Sequence, residues 1–331
     1  MAFFGIRFDL RNPAFAGTSM ADRYKAALDM AEWADGLGLA MVTLSEHHGS
    51  PDGYLPSPLP MAAAIAARTK NIAIYVAAIV AAFHDPLRLA EDAAVVDLVS
   101  QGRLHLVVAN GYVVEEFAMF DVPMGERAAR TTEVIRVLQQ AWAGAPFEHR
   151  GRTVQVAPTP FREGGPALML GGSSDAAARR AARLGVGYQP SNSDSWDAFR
   201  AECAAQGRPD PGGYLGGDST VVILASDPDA TWDAVAPYAL HEAKAYGSWA
   251  AAASLETGYH GASDADELRA SGQYRVVTPA QLVADLEAQG PFAFALLHPM
   301  LGGIPPELAW ESLHLLEHEV LPRLGSDTVR P

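Results

Sequence analysis

The sequence predicts an α/β protein folded as a single (β/α)8 TIM barrel. Eight short apolar runs alternate with segments of helical spacing along the chain. Several of these runs stop directly at polar or ionisable residues, as strands do at the functional face of a barrel. No G-x-G-x-x-G motif follows the first run, which argues against the alternative of a doubly wound dinucleotide-binding sheet.

The first half of the chain supplies four predicted strands, each followed by a predicted helix. The strands are expected at residues 3–10, 41–44, 72–80 and 104–109. Helices are expected from the N-cap Ser19 to about residue 36, from near Pro58, from Pro86 to about residue 99, and over about 126–142. These connections are short enough for a compact parallel sheet.

The second half continues the alternation after a small predicted hairpin at 147–156. The strands are expected at 167–170, 186–189, 220–224 and 292–298, and helices at 175–184, 196–206 and 307–324. A further helix is expected to begin at Thr278, because Thr278 and Gln281 have the spacing of a capping box and Pro279 suits the first turn. Gly290 is expected to end it.

One segment is too long for an ordinary barrel connection. No repeat or linker divides the chain, so residues 1–331 are expected to form one domain. Residues 227–277, after the predicted seventh strand, form an insertion with helical pieces and a Gly- and Tyr-bearing part at 246–274. Long connectors in compact domains are usually functional, so this insertion is interpreted as a lid.

The composition excludes several classes of partner. A net charge of −15 without a basic run argues against nucleic acid and anionic membranes as partners. The longest apolar run, 72–83, has 12 residues, whereas a membrane helix needs about 20. Cys203 is the single cysteine, and residues 1–10 lack the pattern of a signal peptide. A cytoplasmic protein is therefore expected.

The end of the second predicted strand carries the first candidate for catalysis. Glu46, His47 and His48 follow Leu44 directly, before a loop rich in Gly, Ser, Pro and Asp. A strand-end histidine can exchange a proton near neutral pH. The same residues, completed by His84, His298 or Asp9, could instead bind a metal, although neighbouring strand residues point to opposite faces. A pair of solvent-exposed histidines in a loop is the simplest alternative.

The segment Gly171-Gly172-Ser173-Ser174 is a candidate anion site between a predicted strand and a predicted helix. The glycines allow close approach of a ligand to the backbone, and the serines can cap the helix and donate hydroxyl groups. The N–H groups at a helix N-terminus favour phosphate. Asp175 opposes this interpretation because a carboxylate repels phosphate, and an ordinary N-cap remains an alternative.

With these motifs in order, the chain resembles the bacterial luciferase-like family of flavin-dependent monooxygenases on (β/α)8 barrels. The resemblance is carried by LSEHH at 44–48, by the run from VAAIVAAFHDP to VVANGY at 76–112, by EEF at 115–117, and by LMLGGSSDAAARRAARLG at 168–185. It covers about residues 1–190, and the last third matches only loosely. Such linked motifs are specific for the family and unspecific for the substrate.

The resemblance implies roles for individual residues. His47 corresponds to a histidine beside the reactive edge of the flavin, with Glu46 as its companion. Ala77-Ala78 falls where these barrels carry a non-proline cis peptide bond against the flavin ring. Gly172 and Ser173 match positions that hold the flavin phosphate.

One position departs from the family pattern. Asn110 stands where bacterial luciferase has a phosphate-binding arginine. The loss of a charged partner implies weak, dissociable FMN or a different flavin. Arg11 and Arg180 are the candidates to supply the missing charge.

The resemblance implies an oxidoreductase, a monooxygenase that uses reduced FMN and O2 on a small organic substrate, with a separate flavin reductase as partner. The alternative within the family is hydride transfer with the deazaflavin coenzyme F-420. A metal-dependent barrel hydrolase and a non-catalytic flavin-binding protein are alternatives of other classes, and no metal is expected under the leading hypothesis. A homodimer is also implied, through helices that contain 61–67 and 89–98.

Overall fold

The structure is a computed structural model that describes residues 2–190, 193–212, 221–254, 262–290 and 292–324. In these residues the strands are β1 (Ala2–Phe8), β2 (Met41–Leu44), β3 (Ala73–Val80), β4 (Leu104–Ala109), β5 (Phe147–His149), β6 (Arg152–Val154), β7 (Ala167–Gly172), β8 (Gly187–Pro190), β9 (Val221–Leu224), β10 (Tyr274–Val277) and β11 (Ala293–Leu297).

One or two helices follow most of the strands in the same residues. They are α1 (Met20–Gly36), α2 (Pro58–Arg68), α3 (Pro86–Ser100), α4 (Val114–Met119), α5 (Arg127–Trp142), α6 (Asp175–Leu184), α7 (Trp196–Ala205), α8 (Pro228–Ala252), α9 (Ala265–Ala270), α10 (Pro279–Gln289), α11 (Pro306–Leu315) and α12 (Leu321–Leu324). A π-helical turn, Leu316–Val320, joins the last two. None of the described helices is long and apolar enough to span a bilayer.

The chain forms two compact units. Unit 1 consists of Met1–Pro56, Arg68–Ile72 and Ser219–Pro331, and unit 2 of Ser57–Ala67 and Ala73–Asp218. In unit 1 the strands lie in the order β10, β9, β11, β1, β2 and are all parallel. In unit 2 the order is β3, β4, β7, β8, again all parallel. Parallel strands joined by helices are what the barrel prediction requires.

The cores of both units follow the apolar runs of the sequence. Ile6 and Phe8 of β1 and Leu44 of β2 are completely buried in unit 1, as are Leu104 and Leu106 of β4 in unit 2. Strands covered on both faces need such continuous apolar sequence. Because the strands of each unit are parallel, the polar residues that follow them lie together at the carboxyl ends of the strands.

The helix starts were predicted well from local sequence. Ser19 accepts a hydrogen bond from the Asp22 N–H and caps α1, and Thr278 with Gln281 forms the expected capping box of α10. Asp85 caps α3, with Pro86 in the first turn. The predicted hairpin is also present, since β5 and β6 pair antiparallel. Side-chain caps are local, and neighbouring sequence is enough to predict them.

Several predicted boundaries were wrong, and one strand was missed. The first predicted strand, 3–10, ends at Phe8, and the predicted helix 307–324 is interrupted by the π-helical turn Leu316–Val320. The strand expected to end at Leu170 continues through Gly171 and Gly172, which pair with Gln189 and Pro190 of β8. The two glycines of the predicted anion site therefore belong to the end of β7. Four-residue β10 was not predicted as a strand, but it pairs with β9 along its whole length, at one edge of unit 1.

The segment interpreted as a lid is partly described. Residues 227–254 and 262–277 form α8, α9 and β10. Residues 255–261 of that segment, and Thr220 of the predicted seventh strand, lie outside the described residues. In α8 the side chains of Glu242 and Tyr246 are buried in unit 1.

Candidate active site

The end of β1 begins a buried polar cluster in unit 1. Asp9 and Arg11 follow the strand, and both side chains are fully buried. Leu10 between them has a φ of 59°, and the Arg11 N–H donates to Asp9 Oδ1 over 3.0 Å. The local turn thereby directs both side chains inward. The Arg11 Nε lies 3.6 Å from Asp9 Oδ2.

The loop after β2 supplies the second part of this cluster. Asp52 Oδ2 accepts a hydrogen bond from Arg11 Nη1 over 2.6 Å and lies 2.7 Å from His241 Nε2. Asp52 Oδ1 accepts hydrogen bonds from the Ser50 hydroxyl and the Tyr54 N–H. One buried carboxylate therefore fixes the loop and Arg11 together. Charged hydrogen bonds of this kind are stronger than neutral ones.

Helix α8 brings three further side chains to the cluster. Glu242, Tyr246 and Trp249 stand at i, i+4 and i+7, which places them on one face of the helix. The hydroxyl oxygens of Tyr246 and Tyr54 lie 2.9 Å apart, and Arg7 Nη2 donates to the Tyr246 hydroxyl over 2.9 Å. The aromatic side chains are thus held by directional hydrogen bonds as well as by packing.

His47 lies within this aromatic group and is 8% exposed. Its ring stacks on Trp249 with centroids 4.5 Å apart and meets the edges of Tyr54 at 4.8 Å and Tyr246 at 5.8 Å. The Arg11 guanidinium lies 4.7–5.1 Å from the centroids of the same three rings. We call His47, Arg11, Tyr54, Tyr246 and Trp249 the aromatic cluster. Its rings limit water around the imidazole of His47.

Burial and charge act in opposite directions on the carboxylates of this region. Burial alone would raise the pKa of Asp52. The hydrogen bond from His241 and the charge of Arg11 outweigh burial and bring this pKa below its usual range. Burial likewise raises the pKa of Asp9, and nearby His298 and Arg11 bring it below its usual range. Both groups are therefore carboxylates at neutral pH.

Burial dominates for two other groups. It raises the pKa of Glu242 against the opposing charge of His298, and it raises the pKa of Tyr54. Arg11 differs, because burial would lower its pKa but the surrounding hydroxyls and carboxylates raise it above its ordinary value. The guanidinium of the aromatic cluster is therefore permanently charged.

The other predicted residues of the Glu46 to His48 trio are also located. Glu46 is buried, and its Oε1 lies 2.7 Å from His48 Nε2. Glu46 thus contacts His48. His47 has its ring in the aromatic cluster, which agrees with the alternation of side chains along an extended segment.

Unit 2 contains the predicted anion site. Ser174 accepts a hydrogen bond from the Ala177 N–H and caps α6, while Ser173 and Ser174 are exposed. A Cβ on Gly172 would stand 2.7 Å from Ala177 Cβ, so the strand end approaches the first turn of α6 very closely. The Tyr188 hydroxyl donates to the Gly172 carbonyl over 3.0 Å. The N–H groups that begin α6 have no partner within the helix.

Four further predicted residues, Ala77, Ala78, Asn110 and Arg180, lie in the same unit. The Ala77-Ala78 peptide bond is cis, which confirms the geometry that the resemblance implies. Asn110 follows β4, and its side-chain oxygen is buried without a hydrogen-bond partner among the described residues. Arg180 of α6 donates to the Ala128 carbonyl over 3.0 Å, and its Nε is likewise buried without such a partner. Burial lowers the pKa of Arg180.

Arg11 and Arg180 differ in how far their charges are already paired. Arg11 is committed to Asp52 and Asp9 in unit 1. Arg180 is on the helix that begins at Ser174, and helical side chains point back toward the N-terminus of their helix. Arg180 is therefore the better candidate to neutralise an anion at the start of α6.

The sequence did not indicate most of the residues around His47 and Arg11. Arg11 and Tyr246 were named for other reasons, whereas Tyr54 and Trp249, which contact His47, and Asp52 and His241, which pair with each other, were not singled out. The spacing of Glu242, Tyr246 and Trp249 was the available signal, because a polar and aromatic stripe on one helix face indicates an interior contact.

A cavity of about 450 Å³ in unit 1 is lined by residues of 223–235 and 299–319 and by none of these side chains.

The comparisons with known proteins agree with this architecture. The family model of the luciferase-like monooxygenases matches residues 4–289. A curated relative, the oxygenase component of a flavin-dependent trigonelline monooxygenase from Acinetobacter baylyi, is 29% identical over 154 residues, which are 44% of this chain and 42% of that protein. The chain spans about a third to half the length of the curated relatives it matches.

Solved structures match over almost the whole chain. Monooxygenase RslO1 from Streptomyces bottropensis has a TM-score of 0.78 at 26% identity, over 98% of this chain and 100% of that one. The oxygenating constituent of 3,6-diketocamphane monooxygenase from Pseudomonas putida, solved with FMN, has a TM-score of 0.73 at 18% identity, over 99% of each chain. An F420-dependent secondary alcohol dehydrogenase has a TM-score of 0.70 at 15% identity, over 98% and 99%.

The last two structures are only 18% and 15% identical to this chain, so their likeness supports a shared fold and no shared function. They nevertheless join the family match and the order of parallel strands in confirming the predicted fold class. The chain belongs to the luciferase-like monooxygenase family and has its (β/α)8 barrel fold.

Proposed function

We propose that the protein is a flavin-dependent monooxygenase that uses reduced FMN and O2 to oxidise a small organic substrate. The observation that carries this proposal is the enclosure of His47 in the aromatic cluster, at the position where the family resemblance expects a histidine beside the flavin. Family membership and the name of the trigonelline relative support the reaction class. Bound reduced FMN would supply the two electrons with which oxygen is activated.

His47 is proposed as the acid or base of the reaction. Its backbone N–H donates to the Leu55 carbonyl over 3.2 Å, and its ring is held by stacking on Trp249. A positioned imidazole of this kind can give or take a proton at neutral pH. The rings of Tyr54 and Tyr246 also shield the imidazole of His47 from water. Exclusion of water would favour oxidation of the substrate over side reactions with water.

The phosphate of FMN is proposed to bind at Gly171 to Ser174. The close approach at Gly172 and the N–H groups that begin α6 suit an anion of this size. The buried oxygen of Asn110 needs a hydrogen-bond donor, which a flavin offers through its ribityl hydroxyls and its ring N–H but a phosphate dianion does not. Asn110 is therefore proposed to contact the cofactor at a group other than the phosphate.

A weak phosphate site fits a cofactor that is delivered and released. The proposed source of reduced FMN is a separate flavin reductase, and the relative from Acinetobacter baylyi is named as an oxygenase component. With Asn110 in place of an arginine, the neutral Ser173 and the partly buried Arg180 are the remaining contacts. We therefore expect FMN to dissociate readily.

Hydride transfer with coenzyme F-420 is the second candidate function. It is the other reaction that the family resemblance implies, and the F420-dependent alcohol dehydrogenase shows that the same fold, at a TM-score of 0.70, occurs in an enzyme with this cofactor. Both cofactors carry a phosphate after a ribityl chain, so the Gly171 to Ser174 segment does not discriminate between them. Reactivity with oxygen does, because a deazaflavin enzyme transfers hydride and does not use O2.

The single-domain organisation with its lid, and the homodimer, are also proposed. Residues 1–331 are proposed to form one domain in which 227–277 shields the reaction from water. A homodimer is proposed through the helices that contain 61–67 and 89–98. Within these helices Met61 and Leu89 are buried, whereas Val95, Leu98 and Val99 of α3 are exposed and offer the apolar face. A monomer in sedimentation at micromolar concentration would contradict the dimer.

The reaction class is tested by mixing reduced FMN with oxygenated buffer, with and without one equivalent of protein. The protein is expected to change the rate at which oxidised flavin reappears, because bound flavin reacts in a different environment from free flavin. Identical time courses at protein concentrations up to a large excess would contradict the proposal. Oxidation of reduced coenzyme F-420 coupled to a carbonyl substrate, with FMN inert, would support the second candidate.

A further inference from the structure

Three ionisable side chains meet next to the aromatic cluster and have no role in the proposed reaction. Asp9 follows β1, Glu242 belongs to α8, and His298 follows β11 directly, so each comes from a different segment of unit 1. Their exposed fractions are 0%, 0% and 2%. One potential ligand atom from each lies within 4.8 Å of the other two.

The polar atoms that face one another in this group lack hydrogen-bond partners in the part of the chain that the structure describes. Among the described residues none is found for Asp9 Oδ2, for Glu242 Oε2 or for either ring nitrogen of His298. His298 Nε2 lies 3.5 Å from Asp9 Oδ2, and Nδ1 lies 3.7 Å from Glu242 Oε2. Both separations exceed a normal hydrogen bond. Buried polar atoms left unsatisfied are rare because they are costly.

The two carboxylates of this group lie beside the two ring nitrogens of His298. Asp9 is next to Nε2 and Glu242 is next to Nδ1. Arg11 makes its short contact, 2.6 Å, with Asp52 and is 3.6 Å from Asp9. Asp9 Oδ2 and Glu242 Oε2 are thus directed at the same imidazole.

We propose that Asp9, Glu242 and His298 bind a divalent transition-metal ion. Two ligands at about 2.0–2.2 Å from one ion can be at most about 4.4 Å apart, so the three atoms need to close by only a few tenths of an ångström. One imidazole nitrogen with two carboxylates suits Zn²⁺ or Mn²⁺ better than Ca²⁺ or Mg²⁺, which prefer oxygen ligands alone. The Tyr274 hydroxyl donates to Glu242 Oε1 over 3.3 Å and orients that ligand.

The role of this ion would be structural. It would join the ends of β1 and β11 to the middle of α8, the helix that carries Tyr246 and Trp249 of the aromatic cluster. A bound ion that is absent from the unfolded chain stabilises the fold by mass action. The proposal does not depend on which flavin the protein uses or on whether it reacts with oxygen.

The test is metal binding by the full chain, purified without immobilised metal and dialysed against chelator, then titrated with ZnCl2 and separately with MnCl2. We expect one ion per chain with at least one of the two metals, measured by elemental analysis after gel filtration, and a rise in melting temperature. Asp9→Asn and His298→Gln are expected to lose the ion and the rise. His241→Gln is the matched control, since that histidine pairs with Asp52 instead.

Two results would overturn the proposal. The first is a wild-type protein that binds neither metal stoichiometrically and melts at the same temperature with and without it, which would mean that a proton is shared among the three side chains. The second is a folded His298→Gln variant that keeps the wild-type ion. If that variant does not fold, Glu242→Gln, which keeps the size of the side chain, serves in its place, and the wild-type stoichiometry alone remains decisive.

Discussion

Replacement of His47 by alanine separates the proposed chemistry from the fold. The substitution removes a ring that stacks on Trp249 at 4.5 Å and meets Tyr54 at 4.8 Å. Aromatic contacts of this kind contribute about 0.5–1.5 kcal/mol each, so His47→Ala should lower the free energy of unfolding by about 1–3 kcal/mol. A family barrel of this size should still fold, and FMN affinity should stay within a few-fold of wild type.

The effect on turnover should be much larger. Proton transfer by a positioned side chain is typically worth roughly 10²–10⁴-fold, or about 3–5 kcal/mol in the barrier. The assay is a single turnover with preloaded reduced FMN and a substrate found by screening, with product measured per flavin. His48→Ala is the matched control, because that ring pairs with Glu46 outside the aromatic cluster. Near-wild-type rates in both variants would refute the assignment and leave this segment a role in shaping the site.

The remaining predictions concern the anion site and the buried carboxylate of the loop after β2. Ser173→Ala should weaken FMN binding by about 1 kcal/mol, the usual value for one neutral hydrogen bond, and an unchanged dissociation constant would contradict the site. Gly172→Ala puts a Cβ 2.7 Å from Ala177 Cβ and should cost about 1–3 kcal/mol of stability, seen as a lower melting temperature; an unaltered one would show that α6 can move away. The pKa of Asp52 is lower in the folded protein than in the unfolded chain, so its stabilisation is complete above the unfolded pKa of about 3.9 and is lost as the pH falls below it. Denaturant titrations from pH 6 to about pH 3 should therefore show a steeper loss for wild type than for Asp52→Asn, and parallel curves would count against the ionised carboxylate.

Much of the fold could be predicted because its determinants are local. Ser19, Asp85 and the capping box at Thr278 mark helix starts through hydrogen bonds to residues two or three positions away. The end of β7 could not be predicted in the same way. Gly171 and Gly172 pair with β8, and pairing between strands depends on residues that are distant along the chain. The β10 strand was missed for the same reason.

In the candidate site, too, local features could be predicted and contacts between distant segments could not. His47 could be singled out because a polar residue after an apolar run is a local signal. Its environment could not, since Tyr54, Tyr246 and Trp249 come from two segments almost 200 residues apart whose contact depends on packing. The buried group at Asp9 and His298 was named only as one of several ways to complete a metal site, and Glu242, which the structure adds to it, was not considered.

Competitive binding decides whether this family member works with reduced FMN. Anaerobic titration of the protein with FMN, reduced FMN and coenzyme F-420, each in its own experiment and then in competition, gives three dissociation constants under one condition. Reduced FMN is expected to bind saturably, more tightly than the other two ligands, and more weakly to Ser173→Ala than to wild type. Saturation by coenzyme F-420 with no measurable affinity for either form of FMN would contradict it.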